Sequence, residues 1–251
     1  MSGTLADPVR LGPWQNIGSV GWASGVHLDG TSWLTRPTLL DGVADAAAVT
    51  GRFRVRFADY SGMDPGGIGN AFFAFADAVQ PVFAISLAGP GSPDGSIAFD
   101  LRESPGAGAF VGYRSAPAAL RPGAWRIVTF SFDTGHAAGA RLARLLVDGV
   151  PAPINVEIDV GGPFAINFAD PTLDSINLGT QWALATPGAI GDVSLFELWP
   201  GAWVDLDVAA DRDLHTLGDP AIRLSGGPGS FADNRGTGGA FSVVGVLGNP
   251  G

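Results

Sequence analysis

Trp125-Arg126-Ile127-Val128-Thr129-Phe130-Ser131-Phe132-Asp133 and, after residues 134–140, Arg141-Leu142-Ala143-Arg144-Leu145-Leu146-Val147-Asp148-Gly149 decide the fold of this 251-residue chain. The first run is built from β-branched and aromatic residues, which suit a pleated, half-buried surface. Residues 134–140 (TGHAAGA) read as a loop, the second run returns, and Asp148-Gly149 is a dipeptide suited to a tight turn at positive φ. Residues 124–149 are therefore an antiparallel hairpin led by a tryptophan.

The same pattern extends in both directions. Upstream, Val26-His27-Leu28-Asp29-Gly30 leads through a turn into Ser32-Trp33-Leu34-Thr35. In residues 49–57, Phe53, Val55 and Phe57 alternate with Arg52, Arg54 and Arg56, a strand with an apolar face and an arginine face. Residues 71–75, 81–87, 96–102 and 110–114 follow as short strands, and 155–160, 164–168, 175–178 and 192–199 continue the series downstream. The 38 Gly and 19 Pro spread along the chain punctuate these runs, as turns punctuate an all-β domain. Only residues 40–48 and 208–217 carry helix-favouring composition. After Gly218 the chain is Gly-rich, loosest at 226–239, and residues 241–247 read as one last strand packed on the sandwich or on a neighbouring subunit. The expected organisation is an N-terminal arm (1–19), an all-β domain (20–206), and a short helix with an extended C-terminal tail (207–251).

Composition narrows the function classes. There is no cysteine, which removes disulfides, thiolate metal sites and cysteine nucleophiles together. All 14 basic residues are arginine against 24 acidic ones, 21 of them aspartate, for a net charge of -10. That balance disfavours nucleic acid, which wants a basic face. The scarcity of Glu and Lys argues against long helices. No run of apolar residues is long enough to span a membrane, and the first residues lack the basic and apolar regions of a signal peptide.

In order, several segments resemble laminin-G-like domains of the concanavalin A-like fold. They are Val26-His27-Leu28-Asp29-Gly30-Thr31-Ser32-Trp33-Leu34, Leu120-Arg121-Pro122-Gly123-Ala124-Trp125, Arg144-Leu145-Leu146-Val147-Asp148-Gly149, Ile176-Asn177-Leu178-Gly179, and Gly188-Ala189-Ile190-Gly191-Asp192-Val193-Ser194-Leu195-Phe196. The resemblance covers about residues 20–200 and implies an antiparallel two-sheet jelly-roll sandwich. Leu198-Trp199-Pro200-Gly201-Ala202-Trp203-Val204-Asp205-Leu206, continuing to Asp211-Arg212-Asp213-Leu214, is similar to the ends of such domains in tailed-bacteriophage proteins. This implies a virion structural component: a capsid decoration, spike or tail protein, forming homo-oligomers or docked on other virion proteins.

Related folds include glucanases, whose strand motif Glu-x-Asp-x-(x)-Glu sends alternate carboxylates into one cleft. A retaining mechanism needs two carboxyl groups about 5–5.5 Å apart. Glu157-Ile158-Asp159-Val160 begins such a motif, but both positions where the second glutamate should fall, Gly161 and Gly162, are glycine. No Gly-x-Ser-x-Gly elbow occurs, and His27, His136 and His215 show neither nucleophile-base nor metal-ligand spacing. A non-enzymatic protein is the expectation. Asp59, Asp64, Asn70 and Asp77 in a Gly-rich stretch are oxygen donors of the kind calcium takes, and turn formers on the alternative reading. Of the seven tryptophans, Trp125 and Trp33 read as core, whereas Trp182, Trp199 and Trp203 read as exposed, for stacking on sugar or sealing a subunit contact.

Three readings remain: a virion structural protein touching its own copies or other virion proteins, a carbohydrate-binding module for cell-surface polysaccharide, and a glycan-active enzyme. The first is preferred. It sets the expected location as the virion, with no cofactor except a calcium ion.

Overall fold

The computed structural model describes residues 25–57, 70–77, 80–87, 94–180 and 190–251. The N-terminal arm expected over 1–19 and the residues Trp14, Trp22, Asp59, Asp64 and Trp182 lie outside the described residues.

Two antiparallel sheets pack face to face. The strands are β1 (Val26–Asp29), β2 (Trp33–Arg36), β3 (Ala48–Arg56), β4 (Asn70–Ala76), β5 (Pro81–Leu87), β6 (Ile97–Ser104), β7 (Ala107–Ser115) and β8 (Arg126–Asp133). They continue with β9 (Leu142–Val147), β10 (Val150–Pro151), β11 (Ile154–Val160), β12 (Ser175–Leu178), β13 (Ile190–Pro200), β14 (Ile222–Ser225) and β15 (Ser242–Val244). Sheet A runs β1-β13-β3-β8-β9-β10, with β14 beside β1 on the same edge of β13; sheet B runs β11-β7-β6-β5-β4-β12-β2-β15. This is the two-sheet jelly-roll architecture expected from the sequence.

The hairpin of residues 124–149 forms as read. Asp148 and Gly149 both take positive φ (52° and 77°), the conformation of a two-residue turn whose twist matches the flanking strands. The Asp148 carboxylate accepts the Ile127 N–H at 2.9 Å and pairs with Arg126, tying the turn back to β8. Alternation sends Val128, Phe130 and Phe132 into the core. There Phe130 packs at a tilt against Phe99 (5.1 Å between centroids) and Phe73 of sheet B meets Phe196 of sheet A at 4.3 Å. These aromatic contacts across the sandwich are its main cement, since each ring buries large apolar area. The Phe130 ring also lies over Gly51, its cross-strand partner in β3.

The arginine face of β3 is the outer face of sheet A, and it is matched residue for residue. Arg52 pairs with Glu197, Arg54 donates to Ser194, and Arg56 pairs with Asp192, which also bonds His27 at 2.9 Å. Trp125 belongs to this face rather than to the core: it is half-buried, with the guanidinium of Arg54 4.2 Å and that of Arg56 5.1 Å from its ring centre.

Beyond β13 the chain folds back over the outer face of sheet A. Val204, Leu206 and Leu214 close with Trp199 and Leu146 into a second, smaller apolar cluster. The helix expected over 208–217 is two single 3-10 turns, Ala209–Arg212 and Leu214–Leu217, separated by Asp213, whose side chain caps the second. Aspartate bonds its own following backbone and so interrupts a helix more readily than it extends one. Residues 40–48 form a turn and the start of β3, and residues 164–168 supply an isolated bridge, Ile166 to Ala46, rather than a strand. The glycine-rich segment 226–239 is pinned: Phe231 is fully buried in the core, and the Asn234 side chain bonds Ala221, Gly239, Arg223 and Gly236. The last strand, β15, adds to β2 at the edge of this chain's own sheet B.

Candidate functional site

The outer face of sheet B carries a row of residues in continuous cross-strand register. Ser242 faces Thr35, Thr35 faces Asn177, Asn177 faces Ala74, Ala74 faces Ala84, Ala84 faces Asp100, Asp100 faces Gly112 and Gly112 faces Ile158. The alternate positions on the same strands (Leu34, Ile176, Leu178, Phe73, Phe83, Ile85, Phe99, Leu101, Tyr113) belong to the main core, so strand alternation places the row on the opposite side.

The row is a trough by side-chain size. Its floor is alanine: Ala74, Ala76 and Ala84 form a buried cluster separate from the core. On one bank stand Ser175 and Asn177 of β12, backed by Thr35 and Trp33 of β2; on the other stand Asp100 and Arg102 of β6. Strands β12 and β6 are three interstrand spacings apart, about 14 Å.

Polar atoms along these banks are buried without a protein partner. Asn177 is fully buried, yet neither its Oδ1 nor its Nδ2 is hydrogen-bonded; Ser175 Oγ, Trp33 Nε1 and Arg102 Nε share that condition. Leaving such a group unsatisfied costs about 1–3 kcal/mol, and native folds keep few of them. The set combines donors and acceptors with the indole of a half-buried tryptophan. Asp100 is half-buried, and burial pushes its carboxyl up, with Glu157 adding to the rise and Arg102 opposing it. The Arg102 guanidinium lies 3.9 Å over the ring of Phe110, its cross-strand neighbour on β7.

The residues singled out from the sequence fall elsewhere. Trp199 is 4% exposed, and its Nε1 donates to the Gly218 carbonyl at 3.0 Å. The expectation that it is exposed is corrected: at the end of β13 it faces outward from sheet A, but residues 202–217 cover it. Trp203 in the same corner is half-buried, with the Arg144 guanidinium 5.9 Å from its ring. Trp33, expected in the core, stands half-buried on the trough bank. Asp77 caps the β4–β5 turn, accepting the Gln80 N–H; Asn70 opens β4. Among the described residues no group of three or more His, Asp or Glu is arranged to hold a metal.

Glu157 and Asp159 lie on β11, the edge strand of sheet B, where a bulge between Val156 and Ile158 leaves Glu157 out of register. Glu157 pairs with Arg114 and Asp159 with Arg141. His27 is held by Asp192, His136 stands near Asp133 in an exposed loop, and His215 lies in the second 3-10 turn. Asn177, Ser175, Asp100 and Arg102 were not picked out by the sequence reading. Their one local signal is strict alternation with core residues in Ser175-Ile176-Asn177-Leu178 and Phe99-Asp100-Leu101-Arg102.

The sandwich belongs to the concanavalin-like class of folds, the class that includes laminin-G-like domains. A heptameric SAP-like pentraxin from Limulus polyphemus is similar at a TM-score of 0.51 and 13% identity, over 90% of this chain and 94% of that one. A Bacteroides ovatus protein provisionally assigned to carbohydrate binding is similar at 0.56 and 11%, over 91% of this chain and 60% of that one. Domains LG4-5 of the mouse laminin α1 chain are similar at 0.44 and 17%, over 82% of this chain and 49% of that one. At these identities the likeness is one of fold. No protein-family model matches the sequence, and no curated protein does.

Proposed function

We propose that this domain binds a carbohydrate chain in the trough on the outer face of sheet B. The observation that carries the reading is Asn177: a fully buried amide with both polar atoms free, within a registered row. Sugar hydroxyls donate and accept at once, so they suit an amide flanked by Ser175 Oγ and Trp33 Nε1. The span of about 14 Å between the two banks suits an oligosaccharide better than a single sugar. The carbohydrate-binding role assigned to the Bacteroides ovatus protein of the same fold supports the reading.

Binding without turnover is part of the proposal. Asp100 is faced across the alanine floor by Ser175 and Asn177, not by a second carboxylate, whereas glycosidases work with a pair about 5–9.5 Å apart. A place on a virion would set this face against host-surface glycan. What supports that placement is the sequence resemblance of residues 198–214. Docking through the Trp199–Trp203 corner has no such support, because the chain's own residues fill it.

The test is a glycan array followed by calorimetric titration of the best binder. An Asn177→Ala variant should melt no lower than wild type and lose about tenfold or more in affinity. An array and a thermal-shift screen that both show no glycan response would refute the proposal.

A further inference from the structure

We infer that Arg102 makes the trough a receptor for an acidic glycan, its guanidinium pairing with the carboxylate or sulfate of one sugar unit. The inference rests on the carbohydrate reading above and names the ligand class.

Arg102 combines two conditions, a charge unpaired among the described residues and a buried, unbonded Nε. Eight other arginines hold an aspartate or glutamate: Arg36, Arg52, Arg56, Arg114, Arg126, Arg141, Arg144 and Arg223. With 24 acidic residues against 14 arginines, partners are in surplus. Arg102 nonetheless forms no ion pair with a described residue, and its Nε is buried without a hydrogen-bond acceptor.

Asp100, the acidic residue with which it interacts, does not satisfy it. Asp100 lies two residues away on the same face of β6, and the two interact electrostatically without forming an ion pair. The guanidinium instead stacks on Phe110 at 3.9 Å. A guanidinium held over a ring can still turn its terminal N–H groups to a planar oxyanion in two parallel bonds. A neutral sugar hydroxyl could satisfy one such donor; only an anion also answers the charge. Arg102 stands on the bank opposite Asn177, three interstrand spacings away.

The experiment is calorimetric titration of the full chain with three ligand sets sharing one ring type: oligogalacturonates, sulfated galactan oligosaccharides and neutral galactan oligosaccharides. Wild type should bind at least one acidic set more tightly than the neutral one. Raising the ionic strength to about 0.5 M should remove that advantage. Arg102→Gln should weaken the acidic ligand about tenfold or more and the neutral one by a clearly smaller factor; Arg102→Lys should recover part of the acidic loss. Whichever acidic set responds identifies the oxyanion. Equal affinity for acidic and neutral sets, or acidic binding indifferent to Arg102→Gln, overturns the inference while Asn177→Ala can still uphold the trough. Binding of none of the three sets overturns the inference, and with a silent glycan array it overturns the carbohydrate reading too. Salt dependence on the wild-type protein keeps the test decisive if the variants fail to fold.

Discussion

Arg52 and Glu197 meet across β3 and β13 with both side chains almost wholly buried, Arg52 Nε donating to Glu197 Oε2 at 3.0 Å. The other carboxylate oxygen of Glu197 accepts from Arg223 of β14 at 2.9 Å. One carboxylate thus joins three strands of sheet A. Removing it strands a buried cation, which costs about 3–5 kcal/mol. Glu197→Ala should lower the melting temperature by about 6–20 °C, at about 2–4 °C per kcal/mol for a domain of this size. The double change Arg52→Met with Glu197→Leu should restore most of that. A double variant no more stable than the single one would show that the pair is not the cause.

Trp199 is predicted to matter for stability and not for recognition. Trp199→Ala empties the centre of the cluster with Leu146, Val204, Leu206 and Leu214 and should cost about 3–5 kcal/mol. Urea unfolding reads that loss. Glycan affinity of the folded fraction should stay unchanged, and a selective loss of affinity would return Trp199 to the list of contact residues.

Asp100 sets a pH dependence with a definite sign. Burial raises its carboxyl above the ordinary range, so the ionised form is the costlier one in the folded state. Its contribution is fully present below the unfolded value, about 3.9, and is lost as pH rises through the folded value. Asp100→Asn should therefore melt higher than wild type at pH 7 and like wild type near pH 3. Calorimetric melts across that range check it, and parallel curves for the two proteins would contradict the assignment.

Asp29 acts in the opposite direction. Backbone and side-chain bonds from Thr31 and Ser32, opposed by burial, bring its carboxyl down to about 2. The stability it lends to the β1–β2 turn is present above its ordinary value and lost as pH falls toward 2. Asp29→Ala should lower the melting temperature at pH 7 and converge on wild type in strong acid, which a pH series of thermal melts would show.

Gly51 should resist even the smallest enlargement. A methyl group there would sit 2.3 Å from the Phe130 ring, so Gly51→Ala must displace a core aromatic, at about 1–3 kcal/mol. Phe130→Leu in the same chain should relieve part of the clash, a coupling that a double-mutant cycle in urea measures.

The parts of the fold legible in the sequence were those decided locally. The turn at Asp148-Gly149 and the two faces of Arg52-Phe53-Arg54-Val55-Arg56 follow from backbone preference and period-two alternation. Which face a strand-end tryptophan joins is not a local matter. Trp125 and Trp33 are on outer faces because of strand register, and Trp199 is hidden because a later segment returns over it. Asn177 was illegible for a related reason: a polar residue between Ile176 and Leu178 reads as solvated until the register shows what stands beside it. The residues it joins run from Thr35 to Ser242, and no spacing along the chain connects them. Glycine content misled over 226–239, where Phe231 and Asn234 anchor the backbone regardless of its intrinsic freedom.

The registered trough also shapes how this protein can diversify. Each bank position alternates along its strand with a phenylalanine, leucine or isoleucine of the core, so recognition and folding occupy opposite sides of the same ribbons. A library varied at positions 33, 35, 100, 102, 175 and 177 would change what the face reads without altering the aromatic packing beneath it. Ligand preference in such a scaffold can drift one strand at a time, and divergent sequences can keep one shape while answering to different sugars.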